Sequence, residues 1–212
     1  MAPAPRSDKL EVPNAGGHKR VEQGEATRGN LILISRELFA AKGFAETGTE
    51  EIVRTAQVTR GALYHHFKDK EDLFRAVFEN VEAELADRVV LAAARRSSPM
   101  EQLRLGINAF LDACTEPAVQ RIVLQDGPTV LGWQLWHEID SRYFFGLVVS
   151  ALKEAIDAGV LRRQPVEPLA HVLYGAVTQA GMVVGTADDK GSTRNRMRTV
   201  FKELLDDLSV SA

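Results

Sequence analysis

The stretch Thr49–Lys70, TEEIVRTAQVTRGALYHHFKDK, decides how this chain is read, because it spells two short helices separated by a tight turn. Thr49 stands where a helix N-cap is wanted, and Glu50 and Glu51 follow in the first turn, where the helix dipole favours anions. Ile52, Val53 and Ala56 give that helix an apolar side. Gln57 and Val58 form the turn, and Thr59 caps a second helix on which Ala62, Leu63 and Phe67 recur at helical spacing. With Val58, Leu63 and Phe67 turned inward, the other face carries Arg60, Gly61, Tyr64, His65 and His66, with no acid before Asp69. A polyanion tolerates such a face. In a helix-turn-helix the second helix lies in the DNA major groove with its first turn at the base edges, the position held here by Arg60 and Gly61.

Glu51-Ile52, Val58-Thr59, Gly61, Leu63-Tyr64, His66-Phe67, Lys70 and Leu73 together match the signature of the tetracycline-repressor (TetR) family of bacterial transcription regulators, which residues 27–75 resemble. The resemblance implies an all-α fold: an N-terminal three-helix helix-turn-helix domain, then a C-terminal helical domain for effector binding and dimerisation. It also implies a ligand-responsive regulator, a repressor in most relatives and an activator in some, that binds palindromic double-stranded operator DNA as a homodimer. The expected domains are a flexible tail over 1–24, a DNA-binding unit over 25–70 and an effector-binding unit over 71–212. Arg60 is expected at a base, Thr59, Tyr64, His66 and Lys70 at phosphates, and His65 in either role. Thr47 and Thr49, at the start of the first helix of the motif, offer hydroxyls for a phosphate or for simple capping.

Composition is consistent with this reading. The chain has 212 residues, 45% hydrophobic and 26% charged, enough for a sizeable core. Its net charge of −3 is no obstacle to DNA binding, since the relevant field is local and Arg54, Arg60, Lys68, Lys70 and Arg75 cluster near the motif. The lone Cys114 excludes an intramolecular disulfide and a cysteine-cluster metal site. Nothing at the N-terminus reads as an export signal, so the expected location is the cytoplasm. Arg6, Lys9, His18, Lys19 and Arg20 could reach a minor groove, but Asp8, Glu11, Glu22 and Glu25 offset them, which favours a plain disordered leader.

Helix one is expected from about Thr27 to Lys42, with Leu31, Ile34, Leu38 and Ala41 as its stripe, Gly43 as its stop and Phe44 as a plug beneath the motif. The helix opening at Lys70 runs for about 25 residues without Pro or Gly, on the order of 35–40 Å, and joins the two domains as a lever. Beyond Pro99 all signals are helical, with turns expected at Glu116-Pro117 and at Asp126-Gly127-Pro128. Residues 129–158 are the aromatic segment, with Trp133, Trp136, Tyr143, Phe144 and Phe145. By the resemblance, a small-molecule effector, apolar or aromatic, is sought among Phe110, Cys114, Trp133, Trp136, His137 and Phe144. The apolar run beginning at Pro168 is interrupted by His171, Thr178 and Gln179, so no membrane span is expected. Its Gly175, Gly181 and Gly185 would let another helix approach, as would suit a subunit interface completed by a last helix over 192–208; intramolecular packing is the alternative.

An enzyme is the rival class. The chain has no G-x-S-x-G elbow, P-loop, dinucleotide fingerprint or H-E-x-x-H pair, and His137, Glu138 and Asp140 point to different helix faces. No catalytic residue, metal or cofactor is therefore expected. A helical adaptor that has lost its operator is the second rival, disfavoured by the basic outer face of the motif.

Overall fold

The computed structural model describes the backbone of residues 15–210 and the side chains of residues 22–210. The described chain is helical throughout: α1 Ala15–Glu46, α2 Thr49–Thr55, α3 Arg60–His66, α4 Lys70–Ala93, α5 Pro99–Ala113, a π-helical stretch Val119–Asp126, α6 Gly127–Val130, α7 Trp133–Asp157, α8 Val166–Thr186 and α9 Lys190–Leu208. A lone antiparallel bridge, Leu161 to Ser209, ties the segment after α7 to the end of α9.

Helix α1 begins at Ala15 rather than near Thr27, which corrects the expected tail: residues 15–24 are helical. After Pro13 no proline occurs until Pro99, and His18 to Glu25 is rich in long polar side chains that a helix accepts, so its glycines weaken the helix without ending it. The part of the tail up to Asn14 lies outside the described residues. Gly43 breaks α1 as expected, at φ +82°, a conformation that favours glycine, and a Cβ there would run into the Arg121 guanidinium. Gly48, not Thr49, is the N-cap of α2, so Thr49 becomes its first helical residue.

Three aromatic rings, Phe39, Phe44 and Phe74, pack with centroids 5.2–5.8 Å apart and join α1 to α4. The first turn of α4 is capped by Asp69, whose carboxylate accepts the Asp72 N–H, and its 24 residues span roughly 36 Å without a break.

The expected turn at Asp126-Gly127-Pro128 is helical. Pro128 falls in the first turn of α6, and Gly127 is buried where a Cβ would meet Trp136 Cδ1 at 2.8 Å. The chain turns instead at Gly132, φ +75°, and α7 starts there. The two Gly-for-interface assignments on α8 also change: a Cβ on Gly181 would strike Phe110 at 2.7 Å and one on Gly185 would strike Leu124 at 2.6 Å, so both admit intramolecular neighbours. Gly175 alone faces open space.

Candidate nucleic-acid interface and candidate effector cavity

Helix α3 is held from within. Thr59 accepts the Ala62 N–H at 3.1 Å, which fixes its first turn, while Leu63 and Phe67 are buried and orient its inner face. That leaves Arg60, Gly61, Tyr64 and His65 exposed on one side, with His66 half-buried beside them. The Arg60 guanidinium lies over the Tyr64 ring, 5.6 Å from its centroid, so the side chain is supported at the head of the helix while its N–H fork stays available. Slight burial, then the charges of His65 and Arg28, hold His66 below the ordinary histidine range.

Two residues read as phosphate ligands have other partners. Lys70 is half-buried: its ammonium donates to the carbonyls of Phe44 at 2.9 Å and Thr47 at 3.1 Å and sits 4.0 Å above the Phe44 ring. Thr47 is fully buried and donates to the Gly43 carbonyl at 2.7 Å. Both close the loop between α1 and α2, where the kink at Gly43 leaves carbonyls in need of donors. Thr49 is half-buried at the start of α2.

One cation was missed. Arg28 stands over the Phe67 ring, 5.2 Å from its centroid, beside α3. It continues the buried register of Leu31, Ser35 and Phe39 one turn past the core.

The second feature is a cavity of about 320 Å³, open on one side and lined by α4, α5, α7 and α8. Its walls are largely apolar, including Val89, Leu103, Ile107, Phe144 and Leu173, and its polar groups include Asp140, Tyr174 and Thr178. Of the six residues expected to form a pocket, Phe110 and Phe144 line it, edge to face at 5.8 Å. Cys114 and Trp136 are buried outside the lining, the latter donating its indole N–H to the Val123 carbonyl at 2.9 Å. Trp133 is 60% exposed and stacks with the exposed His137 at 6.0 Å on the outside of the bundle.

The register of α7 explains the difference. Trp136, Asp140 and Phe144 follow at four-residue steps along the inner side, whereas Trp133 and His137 share the outer one. Asp140 was therefore findable, as the polar residue between two inward aromatics. It is almost wholly buried, accepts the Tyr174 hydroxyl hydrogen, and burial pushes its pKa up to about 6 against the opposing effects of that bond and of His137. Glu82, on α4, is fully buried with neither carboxyl oxygen partnered; burial and the charge of Asp140 raise its pKa well above the carboxylate range.

Comparison with known proteins bears on both features. Residues 31–77 match the family described as bacterial regulatory proteins, tetR family, and residues 100–208 the tetracyclin repressor-like C-terminal domain. The chain belongs to the TetR family of bacterial transcriptional regulators. A TetR-family transcriptional regulator from Pectobacterium atrosepticum has a crystal structure superposing with a TM-score of 0.82 at 30% identity, over 90% of this chain and 97% of that one. The transposon Tn10 TetC protein of Escherichia coli is 26% identical over 73% of this chain and 78% of its own length. The helix-turn-helix regulator AcrR of Shigella flexneri is 30% identical over 50% of each chain.

The TetR N-terminal match thus falls on α1 to α4, and the C-terminal match covers the helices that, with α4, line the cavity. Among the described residues no helix is long and apolar enough to cross a membrane. A face of α8 and α9 also stands open, with Val172 70%, Val183 38%, Val200 49% and Leu204 48% exposed.

Proposed function

We propose that this TetR-family chain binds palindromic operator DNA in the cytoplasm as a homodimer, acts as a repressor, and is released when a small organic molecule enters the cavity. The observation that carries the reading is the outer face of α3, where Arg60, Gly61, Tyr64 and His65 are exposed together and free of acids. Residues 25–70 form the reader and residues 71–212 the effector-binding and dimerisation unit. Arg60 takes a base, most naturally the O6 and N7 edge of guanine; Thr59, Tyr64, Thr49 and the histidines hold backbone, and Arg28 adds a phosphate contact from α1. Lys70 acts from behind, by fixing the loop that carries α2.

The open face of α8 and α9 supplies the dimer, since Gly175 admits a close neighbour and Val172, Val183, Val200 and Leu204 are apolar groups otherwise left in water.

Release needs a physical link. Asp140 and Phe144 in the cavity share α7 with Trp136, whose N–H holds Val123 in the π-helical stretch. At the end of that stretch Asp126 accepts the Phe44 N–H at 2.7 Å, and the Phe44 carbonyl receives Lys70 at the head of α4. An effector that shifts α7 thereby moves the loop on which α2 and α3 rest, and the rigid α4 carries the same displacement. Fluorescence anisotropy with promoter DNA tests the reading: Arg60→Ala is expected to lose about 1–3 kcal/mol of the preference for operator over a duplex altered at the contacted position, and unchanged preference would reject α3 as the reader.

A further inference from the structure

The walls of the cavity carry two acids, Asp140 and Glu154, and no lysine, arginine or histidine. Asp140 is the inner of the two, with one carboxyl oxygen bonded to Tyr174, which among the described residues is its only side-chain partner. Behind it Glu82 is buried with both oxygens bare. His137, which lowers the Asp140 pKa, faces solvent and stacks on Trp133 rather than lining the cavity. An organic acid entering here would bring a third negative group into an apolar chamber without a cation. A neutral body fills the walls but leaves the inner carboxyls unsatisfied. Leaving a buried polar group without a partner costs more than its bond would return, and buried carboxylates demand a donor or a cation.

We propose that the effector is an amphiphilic organic amine, whose apolar body packs on Phe110, Phe144, Leu103 and Ile107 and whose protonated nitrogen donates to Asp140. This inference rests on the cavity being the effector site. The amine brings the positive charge that this end of the chamber lacks. Selectivity follows from the head group: amine first, alcohol of the same body weaker, carboxylic acid excluded.

Isothermal titration calorimetry of the full chain near neutral pH tests this with 4-phenylbutylamine, 4-phenylbutan-1-ol and 4-phenylbutyric acid, and with octylamine, 1-octanol and octanoic acid. The amines are expected to bind at least roughly ten-fold tighter than their alcohols, the size of a hydrogen bond to a charged group, with no heat of binding from the acids. In Asp140→Asn, whose amide oxygen still accepts the Tyr174 hydroxyl, the amine and its alcohol should bind alike. Alcohol or acid binding as tightly as amine, or an amine preference intact in Asp140→Asn, would overturn the inference and leave the cavity reading in place. If no compound binds, or if amine binding survives Ala151→Trp, which fills the chamber, both fall together.

Discussion

Arg60 and Lys70 are both cations beside the helix-turn-helix, and their surroundings give them different tasks. Arg60 is exposed over Tyr64, so removing it costs contacts to DNA and little else; Lys70 holds two carbonyls and a ring, so removing it loosens the loop between α1 and α2. Arg60→Ala is expected to leave the melting temperature unchanged and to lose about 1–3 kcal/mol of discrimination at one operator position. Lys70→Met should instead lower the melting temperature and weaken all DNA sequences together, a pattern that thermal denaturation and anisotropy separate. Glu82 and Asp140 form the other residue-scale contrast. Both carboxyls have folded pKa values above their unfolded ones, so the native state binds more protons and the stability they contribute, present below about pH 4, is lost as pH rises through their folded values, about 6 for Asp140. Glu82→Gln is therefore expected to stabilise the protein near pH 7.5, by roughly 1–3 kcal/mol, and the gain should shrink toward pH 5. Urea denaturation across that range decides it, and a gain independent of pH would show that Glu82 is not the group that titrates.

At the scale of elements, the motif was legible because its signals are local: Thr59 caps, Leu63 and Phe67 face inward, and the Gln57 turn follows from short spacing alone. The lining of the cavity was legible only in part. Phe110 and Phe144 were found, but Trp133 and His137 were chosen for clustering with other aromatics, when the register set by Gly132 puts them outside. The continuous helix from the π-helical stretch into α6 was hidden because Gly127 and Pro128 ordinarily break helices, and Trp136, Phe78 and the Ile122 carbonyl, crowded around the place of a Cβ, explain why glycine is needed there. Gly181 was read as making room for a subunit when it makes room for Phe110 and Cys114. Gly181→Val should accordingly destabilise the monomer fold by about 1–3 kcal/mol through overpacking, seen in chemical denaturation. The Asp126 to Phe44 bond is the element-level link between cavity and reader. Asp126→Ala is expected to keep operator affinity within a few-fold while the ratio of affinities without and with amine falls toward one; an unaltered ratio would remove this link from the mechanism.

For the whole molecule, one chain presents one α3, and a single seven-residue helix reads too few bases to define an operator. The α8 and α9 face is where a second copy would complete it. Leu204→Arg puts a charge into that face, and light scattering after size exclusion should show the dimer mass of the parent protein halved, with operator binding lost in parallel. The claim that two α3 helices read DNA together is tested most directly by in vitro selection from a random duplex library with the full chain. The account predicts enrichment of an inverted repeat with half-sites centred about one helical turn apart, and, with Arg60→Ala, the same repeat with preference relaxed at one position of each half-site. Enrichment of a single unrepeated site, of no sequence, or, by Arg60→Ala, of the repeat with every position as strongly preferred as before would contradict it.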